Sequence, residues 1–247
     1  MYRIRRSGFY VAMLAILFLA ACKEEKEGPA ATTSVTVSFQ HVVGSEPLQL
    51  DEVIYTSPAG DSYAVSNFKY FVSNVKLISS AGEQIYVEPE SYHLIAQDGK
   101  TSFELKEVPA GTYQRLELSL GIDEELNHRI DHLGDLDPSN EMVWDWDTGY
   151  KFLTLVGTYT GQTRSGGLVF HIGGDTNYRT LALELPQPLN PRQDGSSQVL
   201  LQANVNELFQ GPNLIDFDVM NSSGHGSGPS LIAENYTSGF ITVLEAK

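Results

Sequence analysis

The chain has 247 residues, a formal charge of −15 and a single cysteine; without the three arginines of residues 1–21 the charge becomes −18. That length accommodates one large β domain or two small ones. One cysteine excludes an intramolecular disulfide, and an acidic chain with no basic stripe excludes nucleic acid as a partner.

The first 21 residues stand apart from the rest. Arg3, Arg5 and Arg6 precede an apolar run over 9–21, and Leu19-Ala-Ala-Cys22 closes it. The run is shorter than the roughly 20 residues a membrane span needs, and its order is that of a secretory signal. Residues 1–21 are therefore expected to be a signal peptide. Cys22 resembles the lipidated cysteine of a bacterial lipobox, and Lys23-Glu24-Glu25 resembles a surface-export tag of Bacteroidetes lipoproteins. Residues 22–33, charged and then small, predict a flexible tether, with the folded domain spanning 34–247.

From Ser34 onward, period-2 alternation dominates. Val35, Val37 and Phe39 alternate with Thr36, Ser38 and Gln40, and further strands are predicted at 68–78, 84–87, 92–96, 115–120, 152–159, 168–172, 180–185, 199–205 and 240–244. Pro-, Gly- and Asp-rich turns separate them. The pattern predicts an all-β antiparallel sandwich of the Ig-like, Greek-key type, with long irregular loops and at most short helices. One such helix is expected at 207–210, capped by Asn206. The stretches 122–148 and 221–230 break the strand rhythm, and long loops in a compact domain commonly carry function.

Within the first of these stretches, Gly134 to Leu153 reads GDLDPSNEMVWDWDTGYKFL. Both tryptophans fall here among four aspartates, an expensive placement unless a site is being built. His128 and His132 stand four apart, so a helical turn would put both on one face, but no HExxH motif accompanies them. His41 ends the first strand and His171 ends another; neutral imidazole suits copper or zinc. His93 reads as an ordinary strand histidine. The oxygens of 135–141 resemble part of a calcium loop without its glycine and distant glutamate. No nucleophile elbow, P-loop or Rossmann fingerprint is present, and no cysteine–histidine pairing, so no catalysis is expected.

Five segments in order carry a family resemblance: Phe68-Lys-Tyr-Phe-Val-Ser-Asn-Val-Lys-Leu77, Val108-Pro-Ala-Gly-Thr-Tyr113, Leu120-Gly-Ile-Asp123 with Asn127, the tryptophan window, and Phe170-His171-Ile-Gly173. Together they resemble the MbnP-type copper-binding proteins. The resemblance implies a β-sandwich exported to the cell envelope, and the lipobox-like Cys22 adds the expectation of a lipid anchor at the outer membrane. It also implies a copper site of histidines plus a tryptophan oxidised to kynurenine by a dihaem MauG-like or cytochrome-c-peroxidase-like partner. Opening the indole turns a poor ligand into an amine and a ketone. On this resemblance Trp144 is the first candidate for oxidation and Trp146 the second. His41, His128 and His171 are candidate metal ligands, and Asn127, Asp145 and Tyr150 supporting residues. Glu141 stands where the family usually has glycine. Two further readings stay open on the residues alone. One is a carbohydrate- or peptide-binding lipoprotein beside a TonB-dependent outer-membrane transporter, with Trp144 and Trp146 as a stacking platform. The other is a calcium-stabilised adhesion domain.

Overall fold

The computed structural model of the chain describes residues 32–79, 85–129, 131–145, 148–192, 196–224 and 228–247. The expectations placed on the signal segment, Cys22, Trp146 and the side chain of Asp145 lie outside the described residues, as does His225.

Among the described residues, fifteen strands form two sheets. The smaller runs β15 (Ile241–Ala246), β13 (Ser197–Asn204), β1 (Thr32–Val43) and β2 (Glu46–Pro47), with β7 (Ser102–Pro109) also on β1. The larger runs β12 (Arg179–Leu189), β8 (Tyr113–Leu120), β4 (Ser62–Ser79), β10 (Gly149–Thr160), β11 (Ser165–Gly173) and β14 (Ser222–Ser223). Short strands β3 (Tyr55–Thr56), β5 (Ile85–Val87) and β6 (Tyr92–Ala96) pair with β4, and β9 (Val143–Asp145) pairs with β10. The all-β sandwich read from the alternation is thus the fold.

The sheets are mixed where purely antiparallel sheets were expected. β1 and β13 run parallel from Val35↔Ser197 to Val42↔Asn204, and β14 runs parallel to β11. Parallel neighbours need a long crossover, and between β1 and β13 nearly the whole second sheet supplies it. Other boundaries differ as well. β1 begins at Thr32, pairing Thr32 with Pro109 and Thr33 with Val108, so the last two tether residues belong to the domain. β7 was not predicted, although Phe103 and Leu105 are its buried face. The expected helix at 207–210 is a 3₁₀ turn at Val205–Leu208, capped by Asn204, whose side chain accepts from Asn206 N. Part of the expected loop 221–230 is helical, α2 (Gly228–Asn235), packed through Ile232 and Ala233.

Strand period places the core and the site on opposite sides of the larger sheet. Phe68, Tyr70 and Val72 of β4 point inward, where with Val35, Val37, Phe39, Leu155, Phe170, Val199 and Leu201 they form the core between the sheets. Phe71, between Tyr70 and Val72, points outward. There it meets Tyr150 edge-on at 5.7 Å and, with Ile122, Leu136, Met142 and Phe152, makes a second apolar cluster. The tryptophan window is anchored on that outer cluster.

Candidate functional site

The window folds as two 3₁₀ turns followed by the β9–β10 hairpin. Asp137 caps the second turn, accepting from Ser139 N at 2.8 Å, and Asn140 Nδ2 donates to the Gly134 and Asp135 carbonyls. Asp135 pairs with Lys100 at 2.5 Å and accepts from Leu94 N. Asp135, Asp137 and Asn140 of the 135–141 segment are therefore spent on turns and an ion pair, as Asx-turn chemistry allows.

Trp144 lies on β9 and is half-buried. The benzo edge of its indole covers Gly173 at the end of β11, and its ring centroid is 6.5 Å from that of His171, inclined at 63°. His171, Thr154 and Lys69 are register partners across β11, β10 and β4, and form one row on the outer face. Burial, and then the charge of Lys151, lowers the pKa of His171 below the ordinary 6.5, keeping the imidazole neutral near pH 7.

Asn127 locks this arrangement from below. It is completely buried; its Nδ2 donates to Asp175 Oδ1 at 2.7 Å and its Oδ1 accepts from Tyr150 N at 2.9 Å. Tyr150 donates its hydroxyl to the Leu136 carbonyl at 2.7 Å, and burial pushes its pKa up to about 12. Asn127 thus ties the hairpin that carries Trp144 to the turn that follows His171. Replacing it by alanine is expected to lower stability by about 2–3 kcal/mol, because Tyr150 N–H is left buried without its acceptor. Urea unfolding of N127A checks this, and an unchanged midpoint would refute it.

The helical turn expected through His128 and His132 ends early. α1 (Glu124–Asn127) stops with His128 as its C-cap, so no common helix carries both histidines. His128 Nε2 lies 3.0 Å from Asp175 Oδ2. Burial works to raise the pKa of Asp175, but hydrogen bonds from His128 and Asn127 outweigh it and the net shift is downward.

His41 lies elsewhere. It is on the inner face of β1, edge-on to Phe68 and Tyr70, whereas His171 is on the outer face of the sheet to which Phe68 and Tyr70 belong. Both ring nitrogens of His41 are engaged: Nδ1 is 2.6 Å from Gln97 Oε1 and Nε2 is 3.0 Å from the Tyr70 hydroxyl. Gln97 Nε2 donates to the Leu48 carbonyl, which turns Oε1 toward His41. The imidazole therefore donates through Nδ1 and accepts from Tyr70 through Nε2, a closed neutral chain. Burial lowers its pKa, with the Gln97 contact opposing.

The three histidines singled out in the sequence thus do not converge. The described residues contain no group of three or more His, Cys, Asp or Glu side chains placed to hold a metal. What the fold does assemble is Trp144 with His171, supported by Asn127 and Tyr150. Of the residues around this pair, Gly173 closes the Phe-His-Ile-Gly segment of the string, whereas Asp175 and Thr154 carry no mark there.

The family model for MbnP matches residues 32–225. The chain belongs to the MbnP family. No curated protein sequence matches it. Among solved structures it is similar to MbnP from Methylosinus trichosporium, at 14% identity and a TM-score of 0.57, covering 87% of this chain and 99% of that one. At that identity the similarity establishes the fold, so the MbnP sandwich is shared while the site is read from this chain's own residues.

Proposed function

We propose that this protein is a cell-envelope lipoprotein that binds copper, with His171 and an oxidised Trp144 as the core of its site and no catalysis of its own. Membership of the MbnP family supports the reading, and the single observation that carries it is the Trp144–His171 pair on the outer face of the sheet. A neutral imidazole is a copper ligand, and opening the indole would add an amine and a ketone within its reach. Copper bound there would supply a redox-active, Lewis-acidic centre. The residues of the chain do the rest: Asn127 and Asp175 hold the two strands in register, and Gly173 leaves room for the indole.

The oxidation of Trp144 is assigned to a dihaem MauG-like partner that delivers oxidising equivalents, and anchoring is assigned to a lipid on Cys22 at the outer membrane. His41, with both nitrogens bonded inside the core, does not fit a ligand role, and His128 is engaged by Asp175.

The test is intact mass and copper titration of the mature protein, expressed with and without the dihaem partner. Coexpression is expected to give one tryptophan that has gained oxygen and lost one carbon. His171→Ala is expected to weaken copper binding at least about tenfold, the lower end of what disturbing a metal site costs. An unchanged mass in both preparations removes the oxidised tryptophan. Equal copper affinity in wild type and H171A removes the site.

A further inference from the structure

The end of the sandwich built from residues 44–62 and 205–224 has no part in the site above. Ile54, Leu214 and Val219 are 75%, 64% and 81% exposed there, three of the seven large apolar side chains that the described residues leave in water. The two segments hold seven carboxylates, four in 44–62 and three in 205–224, and no lysine or arginine. None of the seven forms an ion pair among the described residues. Arg164 belongs to the neighbouring hairpin turn, which Asp218 holds by accepting from Thr163 N and Arg164 N. The two segments are fastened to each other. Tyr63 donates its hydroxyl to Asn206 Oδ1 at 2.8 Å, Asn206 Nδ2 donates to the Thr56 carbonyl at 3.2 Å, and Phe217 N donates to Asp61 Oδ2 at 3.0 Å. Asn213 N donates to Asn235 Oδ1 at 3.0 Å and Ile215 N to the Phe209 carbonyl at 2.9 Å. Ile215 and Phe217 take the core positions of this loop and leave Leu214 and Val219 outside. Lys69, in the row of His171, stands seven residues along β4 from Ser62, about 23 Å away. The chain enters the domain at the other end of β1, where Thr32 pairs with Pro109.

We infer that this end of the molecule is a docking surface for a basic, apolar polypeptide segment, with Ile54, Leu214 and Val219 as anchors and Asp51, Glu52 and Asp216 as the charged rim. The surface is independent of the copper reading. Exposed apolar side chains rimmed by polar groups mark a protein contact, and carboxylates left without cations set the sign of the partner's charge. A second copy of the chain would bring the same carboxylates against these, and an anionic lipid surface would bring phosphates, so like charge disfavours both. Loops already fastened to each other lower the cost of binding, because little chain has to be ordered when the partner arrives. A helix with apolar residues three and four apart and lysine or arginine beside them presents both required features on one face.

The experiment is fluorescence anisotropy of a labelled amphipathic helical peptide of leucine and lysine, titrated with the mature protein, beside a serine and lysine peptide of equal charge. Wild type is expected to bind the leucine peptide saturably, one to one, and the serine peptide at least about tenfold more weakly. Leu214→Ser with Val219→Ser is expected to lose at least about tenfold in affinity. Asp51→Asn with Glu52→Gln is expected to lose affinity and to flatten its dependence on salt. Glu104→Gln with Glu107→Gln makes an equal change of charge at exposed β7 positions away from this end, and should bind as wild type. Melting temperatures should stay at the wild-type value, because every substituted side chain is exposed. Equal affinity in L214S/V219S and wild type, or a loss in E104Q/E107Q as large as in D51N/E52Q, would mean attraction by net charge alone and overturns the inference. Absence of saturable binding overturns it as well. Sedimentation showing a concentration-dependent dimer that L214S/V219S abolishes gives the surface to a second copy of the chain, and overturns the basic partner.

Discussion

Gly173→Ala is expected to destabilise the protein by about 3 kcal/mol, the range of an overpacked position that cannot relax, and to displace Trp144. A Cβ at 173 would press into the Tyr150 carbonyl oxygen and lie 2.5 Å from Trp144 Cζ3 and 3.0 Å from Cη2. The indole can swing away. The Tyr150 carbonyl is backbone, and its strand is held by the Asn127 bond to Tyr150 N and by the β9 pairing of Tyr150 with Val143. Strain therefore falls on the hairpin, and the indole loses its seat beside His171. Urea unfolding followed by tryptophan fluorescence checks both parts. The midpoint should fall and the native emission should move to longer wavelength; wild-type values for both would show that Gly173 is not the floor of the indole.

His41→Ala is expected to cost about 3–4 kcal/mol, combining a core cavity with a stranded polar partner. Tyr70 is completely buried, and His41 Nε2 accepts from its hydroxyl. The change strands that hydroxyl and empties the space between Phe68, Tyr70 and Gln97. The double variant His41→Leu with Tyr70→Phe removes both ends of the buried Tyr70 contact and should recover part of the loss, the remainder falling on Gln97 Oε1, which loses the His41 Nδ1 donor at a part-buried position. Copper affinity should be unaffected, since His41 lies on the far side of the sheet from His171.

The same residue sets a pH dependence. Burial holds the folded-state pKa of His41 below the ordinary imidazole value of 6.5. As pH falls below 6.5 the unfolded chain takes up a proton that the folded chain resists, so its contribution is fully present above 6.5 and is lost as pH falls toward the folded pKa. His171, lowered by burial and by Lys151, adds a slope of the same sign. Chemical denaturation between pH 7.5 and about 5 should give a steeper loss for wild type than for the double variant; parallel curves would contradict the assignment.

The tryptophan window was legible in the sequence because two indoles among carboxylates violate the usual economy of a polar loop. The sandwich was legible because buried faces impose alternation along each strand: Phe68, Tyr70 and Val72 declare one face of β4 without reference to any other strand. Asn127 and Tyr150 stood out in the string as polar groups, and in the structure Asn127 Oδ1 accepts from Tyr150 N while the Tyr150 hydroxyl donates to the Leu136 carbonyl. The parallel course of β1 beside β13 carried no such mark, since pairing direction is a relation between segments far apart in the chain. α2 was hidden for a related reason. Its eight residues are held by Ile232 and Ala233 against the core, and short helices draw their stability from such packing, little of it from propensity.

Period-2 patterning along one segment is a local property, fixed residue by residue by which side chains leave water, and it sufficed to determine the all-β sandwich class and the place of most strands. Which histidine stands beside which indole depends on the face to which each strand turns once the sheets have stacked. His41 and His171 look alike as strand-end imidazoles in the string. Only the tertiary structure put the first into a Tyr70–Gln97 chain inside the sandwich and the second next to Trp144 outside it, because β1 and β11 belong to different sheets and the two imidazoles end on opposite sides of the larger one.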